Sequence, residues 1–182
     1  MRISTLVCAL IKPQEYLIVF PVALRETYLS TMAYLTSQEE KLQDRIVFPV
    51  TDIRGAIQVF VGRSLNTDYG NKYLNYPSSI KMPLFPARIL TGNTTLVVVE
   101  GIFDMLNLFD KGIENVVTTF GTHPLLADTK LKLLPYQMQG VTRVVILYDG
   151  DKAGQIAARK LKPLIEILDL DVEIIKLDDG VD

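Results

Sequence analysis

A chain of 182 residues with 48% apolar side chains can build one large domain or two small ones around a real core. A single cysteine, Cys8, excludes an internal disulfide and a cysteine-rich zinc site, and with the lone His123 it supplies at most a poor metal site. No apolar run reaches bilayer-spanning length, and the net charge of −2 hides an uneven spread: +4 over residues 41–90 (seven Lys/Arg, three Asp/Glu) against −5 over residues 91–182 (nine against fourteen).

Taken in order, residues 1–45 carry the weakest pattern. Tyr16–Leu24 fits a strand or part of a helix, with Pro21 as a break. Leu24–Leu42 has helical spacing, with Leu29, Met32, Ala33 and Leu35 on one face. Ile46–Val50 then reads as a strand, Thr51–Gly55 as a tight turn with Asp and Gly in favoured places, and Ala56–Val61 as a returning strand. A loop over Asn66–Lys72 leads to Tyr73–Pro77. This small antiparallel unit bears Arg54, Arg63, Lys72, Lys81 and Arg88, side chains suited to phosphate contacts, although each taken alone reads better as ordinary surface charge. Tyr69, Tyr73 and Tyr76 suit base stacking or partial burial in a hairpin.

From Thr94 onward strands and helices alternate. Strands are expected at Leu96–Val99, Val116–Phe120, Arg143–Leu147 and Val172–Ile175. Helices are expected at Phe103–Phe109, Leu125–Leu134 and Ala153–Leu168, the first stopped by Gly112. Such alternation implies right-handed crossovers and a mostly parallel sheet covered on both faces. Open α/β sheets place their chemistry at the carboxyl ends of strands. There the chain carries Glu100, and then Asp149-Gly150-Asp151. Carboxylates this close repel unless a cation lies between them, and hard oxygen donors suit Mg²⁺ or Mn²⁺. Asp151 taken alone could be only a helix cap.

The strand-Glu100-Gly101 element, paired with Asp149-Gly150-Asp151-x-Ala153-Gly154, resembles a Toprim domain. The set EGIFD (100–104), FGT (120–122), YDGDKAG (148–154) and LDDGVD (177–182) resembles bacterial DnaG-type DNA primases, as do RIVFPVTDIRG (45–55), Gly62-Arg63 and KYLNYP (72–77). The similarity runs from about Arg45 to Asp182. It departs at Pro86-Ala87-Arg88, where the family shows a His-Lys pair, and at His123-Pro124.

The resemblance implies an α/β protein: a Toprim-type, mostly parallel sheet with flanking helices over residues 93–182, preceded by a small α+β basic subdomain over residues 1–92. It implies a primase-type RNA polymerase core that makes short RNA primers on single-stranded DNA by metal-dependent nucleotidyl transfer. Glu100, Asp149 and Asp151 would be the metal-binding and catalytic acids, with Asp104 and Asp182 as further acidic positions for Mg²⁺ or Mn²⁺. Arg54, Arg63, Lys72, Asn75 and Lys152 would face template and nucleotide. The implied partners are the template, ribonucleoside triphosphates, the RNA primer, and a replicative helicase or other replisome protein, with no membrane. The implied setting is the cytoplasm, for a bacterial, phage or plasmid-encoded replication protein. Zinc-binding and helicase-binding modules are not expected, and the ending in LDDGVD reads as a truncation. The same acids could serve a Toprim nuclease, and a chain of this kind could also only bind nucleic acid or a replication partner.

Overall fold

A computed structural model of the chain describes residues 6–11, 16–21, 42, 45–65, 72–89 and 92–177. The chain divides into two compact units, residues 1–80 and 81–182.

The first unit holds one sheet of five strands: β1 (Leu6–Ile11), β2 (Tyr16–Pro21), β3 (Arg45–Thr51), β4 (Ile57–Ser64) and β5 (Tyr73–Tyr76), in that spatial order. Neighbours run antiparallel except β2 and β3, which are parallel. The expected hairpin is present, and its turn is organised by one carboxylate. Asp52 Oδ1 accepts the Arg54 and Ala56 amides at 2.8 and 3.0 Å, and Oδ2 accepts Gln58 Nε2 at 3.1 Å. Gly55 closes the turn at φ +84°, where a side chain would be strained. Val47, Phe48 and Val50 of β3 and Val59, Phe60 and Val61 of β4 are all buried. Burial of consecutive residues, rather than alternate ones, means that both faces of the hairpin are covered. Leu42, helical and fully buried, lies over one face: a Cβ on Gly62 would come within 3.0 Å of its Cδ2.

The sequence left Tyr16–Leu24 open between strand and helix; the strand is what forms, over Tyr16–Pro21. The strand Leu6–Ile11 was not foreseen, because its apolar run has no polar alternation. The helix expected over Leu24–Leu42 lies outside the described residues apart from Leu42.

The second unit runs β6 (Thr95–Val99), α1 (Ile102–Asp110), β7 (Val116–Thr118), α2 (His123–Ala127), α3 (Thr129–Gln137), β8 (Arg143–Leu147), α4 (Lys152–Glu166) and β9 (Asp171–Ile174). Its sheet has the order β7-β6-β8-β9, and every pairing is parallel. The core gathers Leu96, Val98, Val117, Leu125, Leu133, Val144, Ile146, Ala158, Leu161 and Ile165. In α4 the buried Gly154, Ala157, Ala158, Leu161 and Ile165 recur every three or four residues, so one face of the helix packs on β8 and β9. Leu161 is fully buried, and truncation to Ala there costs about 2–5 kcal/mol.

One expected helix is two. The stretch expected as Leu125–Leu134 breaks at Asp128 (φ −142°, ψ 45°), and the Thr129 hydroxyl returns to the Leu125 carbonyl at 2.9 Å. A short polar residue that bonds to local backbone interrupts the helix there. Residues 81–89, placed with the first part by the sequence, make their contacts within the second unit. Phe85 and Thr118 exchange backbone hydrogen bonds, Tyr136 OH donates to Pro86 O at 2.8 Å, and the Ile89 amide donates to Gln139 Oε1 at 3.1 Å. This proline-rich strip has no periodicity from which its packing could be read.

Candidate functional site

Strands β6 and β8 are neighbours in register, Val99 opposite Leu147. Glu100 follows β6 at once and Asp149 follows β8 by two residues, so both leave the sheet at one edge. Glu100 is half-buried, and its pKa is raised from 4.5 to about 7. Burial is the largest cause, followed by the charges of Asp149, Asp151 and Asp104. Three acids therefore act on Glu100 at this edge.

Two of them are also tied to helix starts. Asp104, in the first turn of α1, accepts the Gly101 amide at 2.7 Å through Oδ2. Asp151 caps α4, accepting the Gly154 amide at 2.7 Å through Oδ1. Asp151 is exposed and Asp149 is half-buried. The Asp149 carbonyl accepts Gln155 Nε2 at 3.3 Å. Gly154 is the residue whose role the sequence did not reveal. A Cβ there would sit 2.6 Å from Asp149 O and 3.2 Å from Asp149 N, so only glycine lets α4 begin this close under the Asp149–Asp151 turn. The signal was present in YDGDKAG, but the close approach is visible only in three dimensions.

Among the described residues, no three His, Cys, Asp or Glu side chains are gathered into a ready metal cage. Asp182 lies outside the described residues. Mg²⁺ does not require such a cage: it is ordinarily held by one or two carboxylates, with waters and substrate phosphates completing its shell. The donor set is all oxygen, and a cation would relieve the repulsion from neighbouring acids that adds to burial in raising Glu100. These residues fit a hard divalent ion that completes its coordination from solvent and substrate.

In the first unit Arg63 and Tyr73 are cross-strand partners on β4 and β5. Arg63 Nη1 donates to Tyr73 OH at 2.7 Å, and the guanidinium carbon lies 5.2 Å from the ring centre. Asn75, opposite Val61, lies two residues on and so on the same sheet face. Lys72 is exposed just before β5, with its carbonyl accepting the Ser64 amide at 3.0 Å. Arg63, Lys72 and Asn75 thus share one end of the β4–β5 pair. Arg54 does not join them: it stands in the exposed turn at the other end of β4, about 25 Å away at the usual rise per strand residue. Lys152 belongs to the second unit, exposed in the first turn of α4 beside Asp151. Tyr73 is exposed, whereas Tyr76, opposite Phe60, takes the other face and is half-buried.

Residues 21–85 match the family model of the DNA primase catalytic core, N-terminal domain, and residues 94–176 match that of the Toprim domain. A DNA primase of Aquifex aeolicus is 34% identical over 171 residues, 87% of this chain and 33% of the relative. A DNA primase of Clostridium acetobutylicum is 35% identical over 150 residues, 79% of this chain and 24% of the relative. Among solved structures, a DnaG primase catalytic domain bound to single-stranded DNA superposes with a TM-score of 0.61 at 29% identity, covering 78% of this chain and 46% of that one. The chain spans a third or less of the length of these two curated relatives.

Proposed function

Residues 21–85 belong to the N-terminal domain family of the DNA primase catalytic core and residues 94–176 to the Toprim family, and from that premise we propose that the chain is the polymerising region of a primase. In this reading it joins ribonucleotides into a short RNA primer on a single-stranded DNA template. A primer 3′-hydroxyl attacks the α-phosphorus of an incoming ribonucleoside triphosphate, a new phosphodiester forms, and pyrophosphate leaves.

The observation that supports it most is the meeting of Glu100 and the Asp149–Asp151 turn at one sheet edge, where each acid alters the proton affinity of Glu100. Glu100, Asp149 and Asp151 would hold Mg²⁺ or Mn²⁺, with Asp104 and Asp182 as outer acids. Such an ion, when bound, offsets phosphate charge and stabilises the attacking and leaving oxygens. The chain's own side chains do the aligning. Asp151 is fixed by its bond to Gly154, and Asp149 by the turn packed on that glycine. Glu100 would also take the proton of the 3′-hydroxyl as the attack proceeds. Arg63, Lys72 and Asn75 would contact template or nucleotide phosphates from one end of β4–β5, Arg54 from the other, and Lys152 beside Asp151. A replicative helicase or another replisome protein is the proposed macromolecular partner.

The test is direct. The chain is incubated with a single-stranded DNA template, labelled ribonucleotides and Mg²⁺ or Mn²⁺. Labelled RNA that lengthens with time is expected, and it should disappear in Asp149→Ala. Shortening of the DNA without incorporation would assign the acids to a nuclease instead, and nucleic-acid binding with neither reaction would remove the catalytic reading.

A further inference from the structure

The motif 118–122 takes no part in the function proposed above, yet it makes several hydrogen bonds beside the acids. Thr118 and Thr119 stand at the end of β7, and both are 0% exposed. The Thr119 amide and hydroxyl both donate to the Val99 carbonyl, at 3.0 and 3.2 Å. The Thr118 hydroxyl and the Gly121 amide both donate to the Glu100 carbonyl, at 3.1 and 3.0 Å. Two consecutive carbonyls at the end of β6 are thus each gripped twice. Just past the end of β8, Tyr148 OH donates to Thr119 Oγ1 at 3.4 Å, and Tyr148 immediately precedes Asp149. The loop adopts a strained path to do this: Phe120 sits at φ +55° and Gly121 at φ +111°, and Phe120 N donates to Thr118 Oγ1 at 3.2 Å.

Packing alone does not call for these hydroxyls. Valine has nearly the same shape, suits a buried strand, and buries no polar atom. The two hydroxyls therefore act through the bonds they make, and the bonds they donate end on the residue that carries the carboxylate and on the one before it.

We propose that Thr118 and Thr119 are positioning residues, clamping the Val99 and Glu100 carbonyls so that the Glu100 side chain is held in register with Asp149, with Tyr148 extending the clamp to β8. The inference rests on the reading that Glu100 and Asp149 bind one cation together.

The experiment uses the full chain and the variants Thr118→Val, Thr119→Val, Thr118→Ser and Thr119→Ser. Mn²⁺ binding is followed by electron paramagnetic resonance, and thermal unfolding is recorded alongside. The Val variants should remain folded and bind Mn²⁺ on the order of tenfold more weakly. The Ser variants, which keep the hydroxyl, should bind as the wild type does. Val variants with wild-type Mn²⁺ affinity would overturn the proposal, as would Ser variants as weak as Val, since the methyl groups would then be what matters. If the Val variants do not fold, Tyr148→Phe carries the test: a smaller loss of Mn²⁺ affinity is expected, and no change would overturn it. Absence of Mn²⁺ binding by the wild type would be a failure of the functional reading itself. The clamp is then judged on the metal-free protein by the ¹³C shift of the Glu100 carboxylate, which should move in the Val variants and return in the Ser variants; an unmoved shift would refute it.

Discussion

In the second unit Glu100 and Asp149 leave from neighbouring strands of a parallel sheet at a common edge, whereas in the first unit Arg54 and Arg63 stand at opposite ends of one antiparallel strand. Sheet direction accounts for the difference. Parallel strands all finish on the same side, so acids distant in sequence meet there without any local signal. Antiparallel strands finish alternately, so charges at strand ends and turns spread along the sheet. The first arrangement makes a compact site in which neighbouring acids change the proton affinity of Glu100. The second spreads its positive charges along the sheet.

That contrast can be broken or sharpened by substitution. The largest effect is expected at the acids. Asp149→Ala or Glu100→Gln should lower nucleotide incorporation at least about a hundredfold with the circular dichroism spectrum unchanged. The double variant should be little worse than either single one, because the groups act as a unit. Activity retained in either would remove the compact site. Next comes Gly154→Ala. Its new Cβ meets backbone rather than a flexible side chain, so the Asp149–Asp151 turn must shift. A loss of about 1–3 kcal/mol in urea unfolding is expected, with incorporation falling alongside. Wild-type stability would contradict the close packing described here.

A subtler effect concerns pH. The Glu100 pKa is raised in the folded chain, from 4.5 to about 7, so the folded state holds this proton more tightly than the unfolded state does. The sign follows: this contribution to stability is fully present below about 4.5 and is lost as pH rises to about 7. In chelator, Glu100→Gln should flatten the fall in melting temperature between pH 5 and pH 8, a difference of a few degrees at most once partial solvent screening is allowed for. An identical pH profile in both proteins would show that the Glu100 pKa is not raised in the folded chain. Smallest are the single cations of the first unit. Arg63→Ala and Lys72→Ala should each weaken binding to single-stranded DNA only severalfold, lower the salt dependence by about one unit of slope, and combine additively. Strong non-additivity would mean that these cations also form a compact site.

The second unit was legible in the sequence almost element by element. Its β-α alternation is local, and Arg143–Leu147 is a strand over the very residues expected. The acids at strand ends were legible for the same reason, since a parallel sheet puts every such end on one side. What the sequence hid is long-range or steric. The parallel pairing of β2 with β3 joins segments that share no turn. The break at Asp128 depends on one backbone conformation. The clamp of Thr118 and Thr119 looks in sequence like two more β-branched strand residues, and becomes visible only when their hydroxyls are seen bonded to Val99 and Glu100.

The central claim is that Glu100 and Asp149 share a divalent cation. Anomalous scattering from crystals soaked in Mn²⁺ and a ribonucleoside triphosphate measures this directly. A manganese peak within coordination distance of both carboxylates, with the triphosphate beside it, is the predicted result. A strong peak elsewhere in the chain, with none at this sheet edge, would contradict it.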